Sequence, residues 1–299
     1  MPNSSSRELY LCPVKFHLLA FFFLLAIGLS AQPGVIPPGN FPIKGQDTLS
    51  PLQVVQKYVS PDGFPGKMKF FCCELDKEWY ADSTLGQHLP KRVERECKLL
   101  FQDSAHAVVA VWLHDSTISR DVYFYLVKSK NWTIYSLRAL TMTQEAKREL
   151  ERLDSIPEKE RGKSYTKSHE NSYAFEYNNL KLWSSSDTAL SSYFMKNQKK
   201  FFELQKLMQK KGYYGKNDTL VNDGQKDKKI KKLTDQLLIR NIDFDKRYHT
   251  CVFYIIGGMM DNTVGYMYQP DPKKVPRITE KHYIYLRALG NGWYVFKTT

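Results

Sequence analysis

A histidine and an aspartate at the predicted end of one strand are the best candidates in this chain for proton transfer. His114 and Asp115 directly follow the apolar run of residues 107–113. If either side chain faces Tyr125 across a sheet, a desolvated imidazole or carboxylate could act there as a general acid or base. The alternative is that polar residues simply close a strand beside its turns. Similar polar residues flank the same predicted hairpins: Asp103, His106 and Asp121.

The chain contains no familiar catalytic motif. A glycine-rich phosphate loop, a nucleophile elbow and an HExxH helix are all absent from the sequence. This counts against the common dehydrogenase, P-loop, α/β-hydrolase and zinc-protease classes. No cysteine and histidine spacing is typical of a zinc site, so we expect neither a metal nor a cofactor. We assign no catalytic residue, and an enzyme whose residues meet only in the folded chain stays an alternative.

A lysine-rich segment is the strongest binding signal. Between Met195 and Lys232 there are twelve lysines and four acidic residues, a net charge of +8 within a chain of net charge +13. Such a segment could hold an anionic glycan or a lipid headgroup through charge, whereas nucleic acid is not expected because no base-stacking module is present. The alternative is a solvated helix face that keeps the protein soluble. The candidate anion-binding residues are Lys210, Lys211, Lys228, Lys229, Lys231 and Lys232.

Four cysteines would remain in an exported chain, and their even number permits two disulfides. Cys72 and Cys73 are neighbours, and ring strain disfavours a bridge between adjacent residues, so each would need a distant partner. The remaining two are Cys97 and Cys251. The alternative is that several of them are small buried apolar residues.

The N-terminus has the layout of a secretory signal peptide. Arg7 and Lys15 precede an apolar run over residues 16–29, and small residues near Ala31 offer a cleavage site. We therefore expect a signal peptide over residues 1–30 and a periplasmic or extracellular protein. An uncleaved N-terminal anchor is the alternative. No second run is long enough to span a bilayer, so no transmembrane segment is expected in the mature chain.

The elements that would position these residues form an apparent internal repeat. The hairpin segments 123–135 and 283–296 each consist of two alternating runs around a polar turn, with Trp132 or Trp293 opening the return strand. Upstream, Cys97 lies fifteen residues before Trp112, and Cys251 lies fifteen before Tyr266. Such self-similarity indicates a duplicated unit, although hairpins of similar composition in one larger sheet are the alternative.

The pattern predicts an α+β protein with two units, each having helices packed on a four-stranded antiparallel meander. An extended, proline-rich leader over residues 31–49 precedes a first unit over 50–142, which starts with a helix at Ser50-Pro51. A connecting segment covers residues 143–185, in which 174–183 is read as extended. The second unit, residues 186–299, carries the two lysine-rich helices, and glycines 257 and 258 indicate a bulge.

The tyrosines alternate along the predicted strands. Tyr123 and Tyr125 should share one face of their sheet, and Tyr283 and Tyr285 should share one face of theirs. They could line a ligand pocket or form a core layer whose hydroxyl groups reach its rim.

Helical material followed by a curved antiparallel sheet is similar to the cone-shaped α+β fold of the nuclear transport factor and ketosteroid isomerase superfamily. The resemblance covers residues 50–140 and, more loosely, 186–299, and it rests on element order and hairpin pattern. That superfamily includes enzymes, carriers and accessory domains without activity, so the resemblance implies a fold more than a function.

The expected function is that of an exported, non-catalytic binding or envelope-associated protein. Two alternatives remain open at this point. One is an acid–base enzyme that acts on a small molecule, and the other is a binder of anionic glycan or lipid surfaces that uses the lysine-rich helices.

Overall fold

The described part of the chain begins at Leu49. The computed structural model describes residues 49–75, 83–164, 172–213, 227–245, 251–259 and 262–299. The predicted signal peptide, and all of the predicted leader except its last residue, lie outside the described residues. All described residues belong to one compact unit.

The first helix forms where the capping signal places it. Helix α1 spans Pro51–Val59, and Ser50 and Gln53 form a reciprocal capping box, with Gln53 N donating to Ser50 Oγ at 3.2 Å. Its apolar side, which includes Val55 and Tyr58, is fully buried against the first sheet. The helix predicted from Ser50-Pro51 is confirmed.

The first sheet is a simple antiparallel meander of four strands in the order β1-β2-β3-β4. One face packs against α1, and the other packs against elements of the second half of the chain. The central strands are therefore buried on both faces, which explains their nearly continuous apolar sequence. The strands are β1 (Glu94–Gln102), β2 (His106–His114), β3 (Ser119–Lys128) and β4 (Trp132–Arg138), and a short helix α2 (Leu85–His88) precedes them.

The second sheet differs from the predicted four-stranded meander. It has five antiparallel strands in the order β5-β6-β7-β9-β8, so β7 pairs with the last strand and β8 lies at an edge. Its extra strand follows the second lysine-rich helix, and the predicted bulge is present between Ile255 and Gly257. The strands are β5 (Asn241–Asp245), β6 (Cys251–Met259), β7 (Asn262–Tyr268), β8 (Tyr283–Gly290) and β9 (Trp293–Thr298).

The α+β class is confirmed, and the two sheets are joined by helices. The lysine-rich helices are α6 (Asp187–Lys210) and α7 (Lys228–Gln236), and before them come α3 (Thr143–Asp154), α4 (Glu158–Ser164) and α5 (Tyr173–Trp183). Among the described helices, none is both long and apolar enough to cross a membrane.

The extended segment predicted over residues 174–183 is wrong, because this segment is helix α5. Ser172 caps it, and its buried residues recur at helical spacing: Phe175, Asn179, Leu182 and Trp183. The fully buried Asn179 donates to the carbonyl oxygens of Leu238 at 2.7 Å and Ile256 at 2.6 Å. Aromatic residues on the helix obscured its period, and the tertiary hydrogen bonds of Asn179 hold it against β6.

The two sheets share one hydrophobic core, since residues of β2, β3, β8, β9 and α6 pack in the same cluster. Tyr123 and Tyr125 share a face, as predicted, and lie fully buried in this cluster. The prediction for the second pair is wrong: Tyr285 belongs to the shared core, whereas Tyr283 packs on the opposite face of its sheet. A register shift between these two residues breaks the alternation.

Candidate functional site

The structure places the candidate acid–base pair at one end of the first sheet, where both residues are half-buried. His114 is the last residue of β2, where its ring stacks on Trp112 at 3.7 Å and its Nε2 atom lies 3.3 Å from Glu94. Asp115 accepts hydrogen bonds from the backbone N–H groups of Thr117 and Ile118, both at 2.6 Å. These bonds, first that of Thr117, lower the pKa of Asp115 to about 2, so at neutral pH this carboxylate stabilises a turn and is a weak base.

Tyr125 lies far from that pair. It is opposite Val108 in the register of β2 and β3, six positions along β2 from His114, which corresponds to roughly 20 Å. Its hydroxyl group donates to the carbonyl oxygen of Ile284 at 2.9 Å in the shared core, and burial raises its pKa. The structure does not bring His114, Asp115 and Tyr125 into one site. Asp121, expected on a turn, lies within β3.

The lysines of α6 and α7 lie on the solvent side of two packed helices. The apolar side of α6 is buried in the shared core, with Phe194 and Phe201 against Tyr266 and Trp293. Most lysines of these helices point away from that core and are exposed. We call these residues the lysine surface: Lys196, Lys199, Lys200, Lys206, Lys210, Lys211, Lys228, Lys229 and Lys232.

An ion pair joins the end of α6 to the start of α7. The Lys211 ammonium group contacts the Asp227 carboxylate, which also caps α7 by accepting from the N–H groups of Lys229 and Ile230. Lys210 and Lys211 therefore lie close to the first turn of α7, although fifteen or more residues separate them in sequence. The half-buried Lys231 pairs with Asp235 at 3.6 Å. Among the described residues, no carboxylate forms an ion pair with the other lysines of the surface.

This arrangement costs helix stability. Lys228 and Lys229 occupy the first two positions of α7, where the positive end of the helix dipole disfavours cations by about 0.3–1 kcal/mol each. Lys232 follows them at spacings of four and three residues, where like charges repel by a few tenths of a kcal/mol. Since these charges oppose folding, stabilisation of the helix does not explain them, whereas an anionic ligand would relieve their repulsion.

Replacing Lys228 and Lys229 together by glutamine is expected to raise the free energy of unfolding by about 0.5–1 kcal/mol at low salt, because repulsion at the N-terminus of α7 is removed. Urea unfolding at low and high salt measures the gain, which should shrink as salt screens the charges. Lys206→Gln, in the middle of α6, is the matched control and should change stability little. A double variant less stable than the wild type at low salt would contradict this description of α7.

A buried ionic cluster, which the sequence did not reveal, lies between the two sheets. The Lys297 ammonium group is 3.0 Å from Asp121 and 2.7 Å from Asp187, and its side chain is 3% exposed. The Tyr123 hydroxyl group donates to Asp187 at 2.8 Å, and the Lys297 ammonium group lies 5.8 Å from the ring centre of Tyr285. The cluster thus connects β3, the first residue of α6 and β9.

Two carboxylates share one ammonium group in this cluster, and this imbalance affects the pKa of Asp187. Burial raises the pKa of Asp187 to about 6; Lys297 opposes the shift, and the Asp121 charge adds to it. Burial alone would lower the pKa of Lys297, but both carboxylates outweigh it and raise that pKa. The Asp187 carboxyl group therefore holds its proton to a higher pH than an ordinary aspartate does.

A cavity of about 10 Å³ adjoins the cluster. A cavity of this size has room for about one water molecule. Its wall includes Lys297, Asp121, Tyr123 and three consecutive serines, Ser184, Ser185 and Ser186. The lysine, carboxylates and tyrosine would suit proton transfer, but the space beside them has room for only about one water molecule.

Asp187 should make stability depend on pH. Its pKa is higher in the folded chain than the usual 3.8, so the folded state binds the extra proton between those values. Protonation of Asp187 therefore contributes on the order of 2–3 kcal/mol to the free energy of unfolding. This contribution is fully present below about pH 4 and is lost as the pH rises through about 6. Urea titrations from about pH 4 to about pH 7.5 measure this, and Asp187→Asn should flatten the fall. Equal slopes for the variant and the wild type would contradict the assignment.

The four cysteines among the described residues lie in three different parts of the fold. Cys72 is half-buried and Cys73 is exposed, with their sulfur atoms 2.7 Å apart. Cys97 lies in β1 beside the core under α1, and Cys251 is buried in β6 on the outer face of the second sheet. All four are thiols in this structure, and the predicted disulfides stay a prediction.

Comparison of the chain with protein-family models, with curated proteins and with solved structures finds no match. The resemblance to the cone-shaped superfamily therefore stays a prediction, and the function must be argued from this chain's own residues.

Proposed function

We propose that this chain is an exported, non-catalytic protein that binds an anionic glycan through its lysine surface. The observation that carries the proposal is the exposed group of lysines at the junction of α6 and α7, held together by the contact between Lys211 and Asp227. Export is supported by the apolar run over residues 16–29 and the small residues that follow it.

Charge favours a polyanion as the ligand. Lys210, Lys228, Lys229 and Lys232 are exposed, and among the described residues no carboxylate forms an ion pair with them, so their charge is available to a ligand. Lysine ammonium groups act as point charges on flexible stems, which suits a repeating anionic polymer more than a single shaped ligand. The combined field of such a group raises the local concentration of anions and speeds their association.

A glycan is favoured over a lipid surface because the apolar side of these helices is already occupied. Interfacial helices bury an apolar face in the membrane. In α6 that face, with Phe194 and Phe201, packs on the second sheet, and in α7 Ile230 and Leu233 are buried in the same core. The lysine surface therefore offers charge without an apolar side to insert.

The non-catalytic part of the proposal is supported by the positions of the candidate acid–base residues. His114 and Asp115 lie at the end of β2, Tyr125 lies in the core, and the cavity beside the buried lysine is about the size of one water molecule. Asp115 stabilises a turn, and Tyr125 forms part of the shared core.

Retention on three matrices tests the proposal. The purified protein is passed over immobilised heparin, over a neutral dextran matrix, and is mixed with vesicles that contain an anionic phospholipid. We expect retention on heparin that salt reverses, no retention on dextran, and weak vesicle binding. Failure to bind heparin at low salt would overturn the proposal, and stronger binding to vesicles than to heparin would replace the glycan with a membrane surface.

A further inference from the structure

We infer that Cys72 and Cys73 form a vicinal dithiol that is oxidised to a disulfide between neighbouring residues, which makes this pair a redox modification site. The inference does not depend on the proposed glycan binding. It rests on the contact between the two sulfur atoms, on the exposure of Cys73 and on the surroundings of the other two described thiols.

The two sulfur atoms are already close to bonding distance. They lie 2.7 Å apart, about 0.7 Å longer than a covalent disulfide bond. The backbone contributes to this geometry, because Cys73 has a φ of 65°, a left-handed conformation that is unusual for a residue with a side chain. This turn places both side chains on the same side of the chain.

Cys73 is the most exposed of the four described thiols. An oxidant can reach Cys73 from solvent, whereas Cys72 and Cys97 are both half-buried. Cys251 is fully buried among aromatic residues of the second sheet. At Cys97, burial and then the neighbouring Glu96 charge raise the thiol pKa to about 11, which disfavours the reactive thiolate. Thiol–disulfide exchange should therefore begin at Cys73.

The chemistry is a balanced exchange with a second disulfide. The Cys73 thiolate attacks a small-molecule or protein disulfide and releases one thiol, and the Cys72 thiolate then attacks the mixed disulfide and releases the second. One sulfur–sulfur bond forms as one breaks: the cysteine pair loses two electrons and two protons, and the oxidant becomes two thiols. Adjacent α-carbons are only about 3.8 Å apart, closer than in ordinary disulfides, so this bond is strained and easily reduced.

The site adjoins a polar connection between the sheets. Glu74 follows the pair directly, and its carboxylate binds Arg138 at 2.6 Å and Ser136 at 2.9 Å, both on β4. Arg138 also donates to the carbonyl oxygen of Glu280, just before β8. Oxidation changes the backbone next to Glu74, so it should alter how tightly this connection is held.

Peptide mapping tests the inference. The full chain is incubated with glutathione disulfide, remaining thiols are alkylated, and the protein is digested with trypsin, which places both cysteines on the fragment of residues 70–77. We expect this fragment to lack two hydrogen atoms, and dithiothreitol to restore them. The double variant Cys97→Ser/Cys251→Ser should give the same fragment, whereas Cys72→Ser should leave glutathione attached to Cys73. Alkylation of both Cys72 and Cys73, or a bridge from either to Cys97 or Cys251, would overturn the inference.

A second measurement uses phenylarsine oxide, which bridges two neighbouring thiols and releases water without changing the oxidation state of arsenic. The reduced wild type and the Cys97→Ser/Cys251→Ser variant should each bind one equivalent, and Cys73→Ser should bind at least a hundredfold more weakly. Equal binding by Cys73→Ser and the wild type would overturn the inference even if oxidation proved slow.

Discussion

Replacing Lys297 by methionine is expected to lower the free energy of unfolding by about 3–5 kcal/mol. Lys297 is the cation of a buried cluster in which its ammonium group lies 3.0 Å from Asp121 and 2.7 Å from Asp187. Methionine fills a similar volume but leaves two carboxylates together without a positive charge. Removing one partner of a buried ion pair destabilises a protein more than replacing the whole pair by apolar residues does. The reason is that the remaining charge stays buried and keeps its desolvation penalty.

Urea unfolding of two further variants separates this explanation from lost packing. Lys281→Met, at an exposed position nearby in sequence, is the matched control and should stay within about 0.5 kcal/mol of the wild type. The triple variant Lys297→Met/Asp121→Asn/Asp187→Asn should recover at least half of the loss, because the uncompensated charges are gone. If Lys297→Met alone stays within about 1 kcal/mol of the wild type, the cluster does not hold the sheets together as described.

Replacing Lys210, Lys228, Lys229 and Lys232 together by glutamine is expected to weaken heparin binding by about two to three orders of magnitude. Each lysine near an anionic surface contributes about 1 kcal/mol, so four contribute about 4 kcal/mol before screening reduces the sum. The substitutions keep the ion pair of Lys211 with Asp227, which joins α6 to α7, and the ion pair of Lys231 with Asp235 within α7. Titration with a heparin octasaccharide measures the loss.

A variant with the same loss of charge elsewhere provides the control. Lys91, Lys98, Lys130 and Lys281 are also exposed, but they lie outside α6 and α7. Their joint replacement by glutamine should change octasaccharide affinity by less than about fivefold, because the effect of a charge falls off within a Debye length of about 8–10 Å. Equal losses in the two variants would show that binding follows net charge alone and would contradict a localised site.

Local signals in the sequence predicted much of the fold. Ser50, Pro51 and Gln53 specify the start of α1, and short apolar runs between turn residues specify the strands of the first sheet, because these patterns act over a few neighbouring residues. The helical period of the lysine-rich segment likewise predicted α6 and α7. The sequence does not show that the end of α6 lies beside the start of α7. The ion pair between Lys211 and Asp227 shows this contact in the folded chain.

Features that depend on distant parts of the chain were missed. Helix α5 is held by hydrogen bonds from Asn179 to carbonyl groups about 60 and 77 positions away, which no local pattern shows. The order of β8 and β9 depends on which strand β7 pairs with, and the two hairpins look alike in sequence whichever order is adopted. The strand that closes the hairpin, β4 or β9, lies at the edge of the first sheet but between β7 and β8 in the second. The duplicated unit inferred from the sequence stays a prediction.

The buried cluster offers one signal that was available in the sequence. Lys297 directly follows the apolar strand segment of residues 293–296. In the sheet it pairs with two buried positions, Val264 of β7 and Tyr285 of β8. A lysine at such a position needs a buried anion, and Asp121 is one of the acidic residues that flank the predicted hairpins. Its partners lie 176 and 110 positions away, so only the folded chain shows that they meet.

The salt dependence of octasaccharide binding tests the central claim most directly. Each lysine that neutralises a ligand charge releases condensed counterions, so the logarithm of the binding constant should fall linearly with the logarithm of salt concentration. We expect the Lys210, Lys228, Lys229 and Lys232 glutamine variant to have a slope smaller by about three than the wild type, and the Lys91, Lys98, Lys130 and Lys281 variant to keep the wild-type slope. Equal slopes for the wild type and the first variant would contradict binding through the lysine surface.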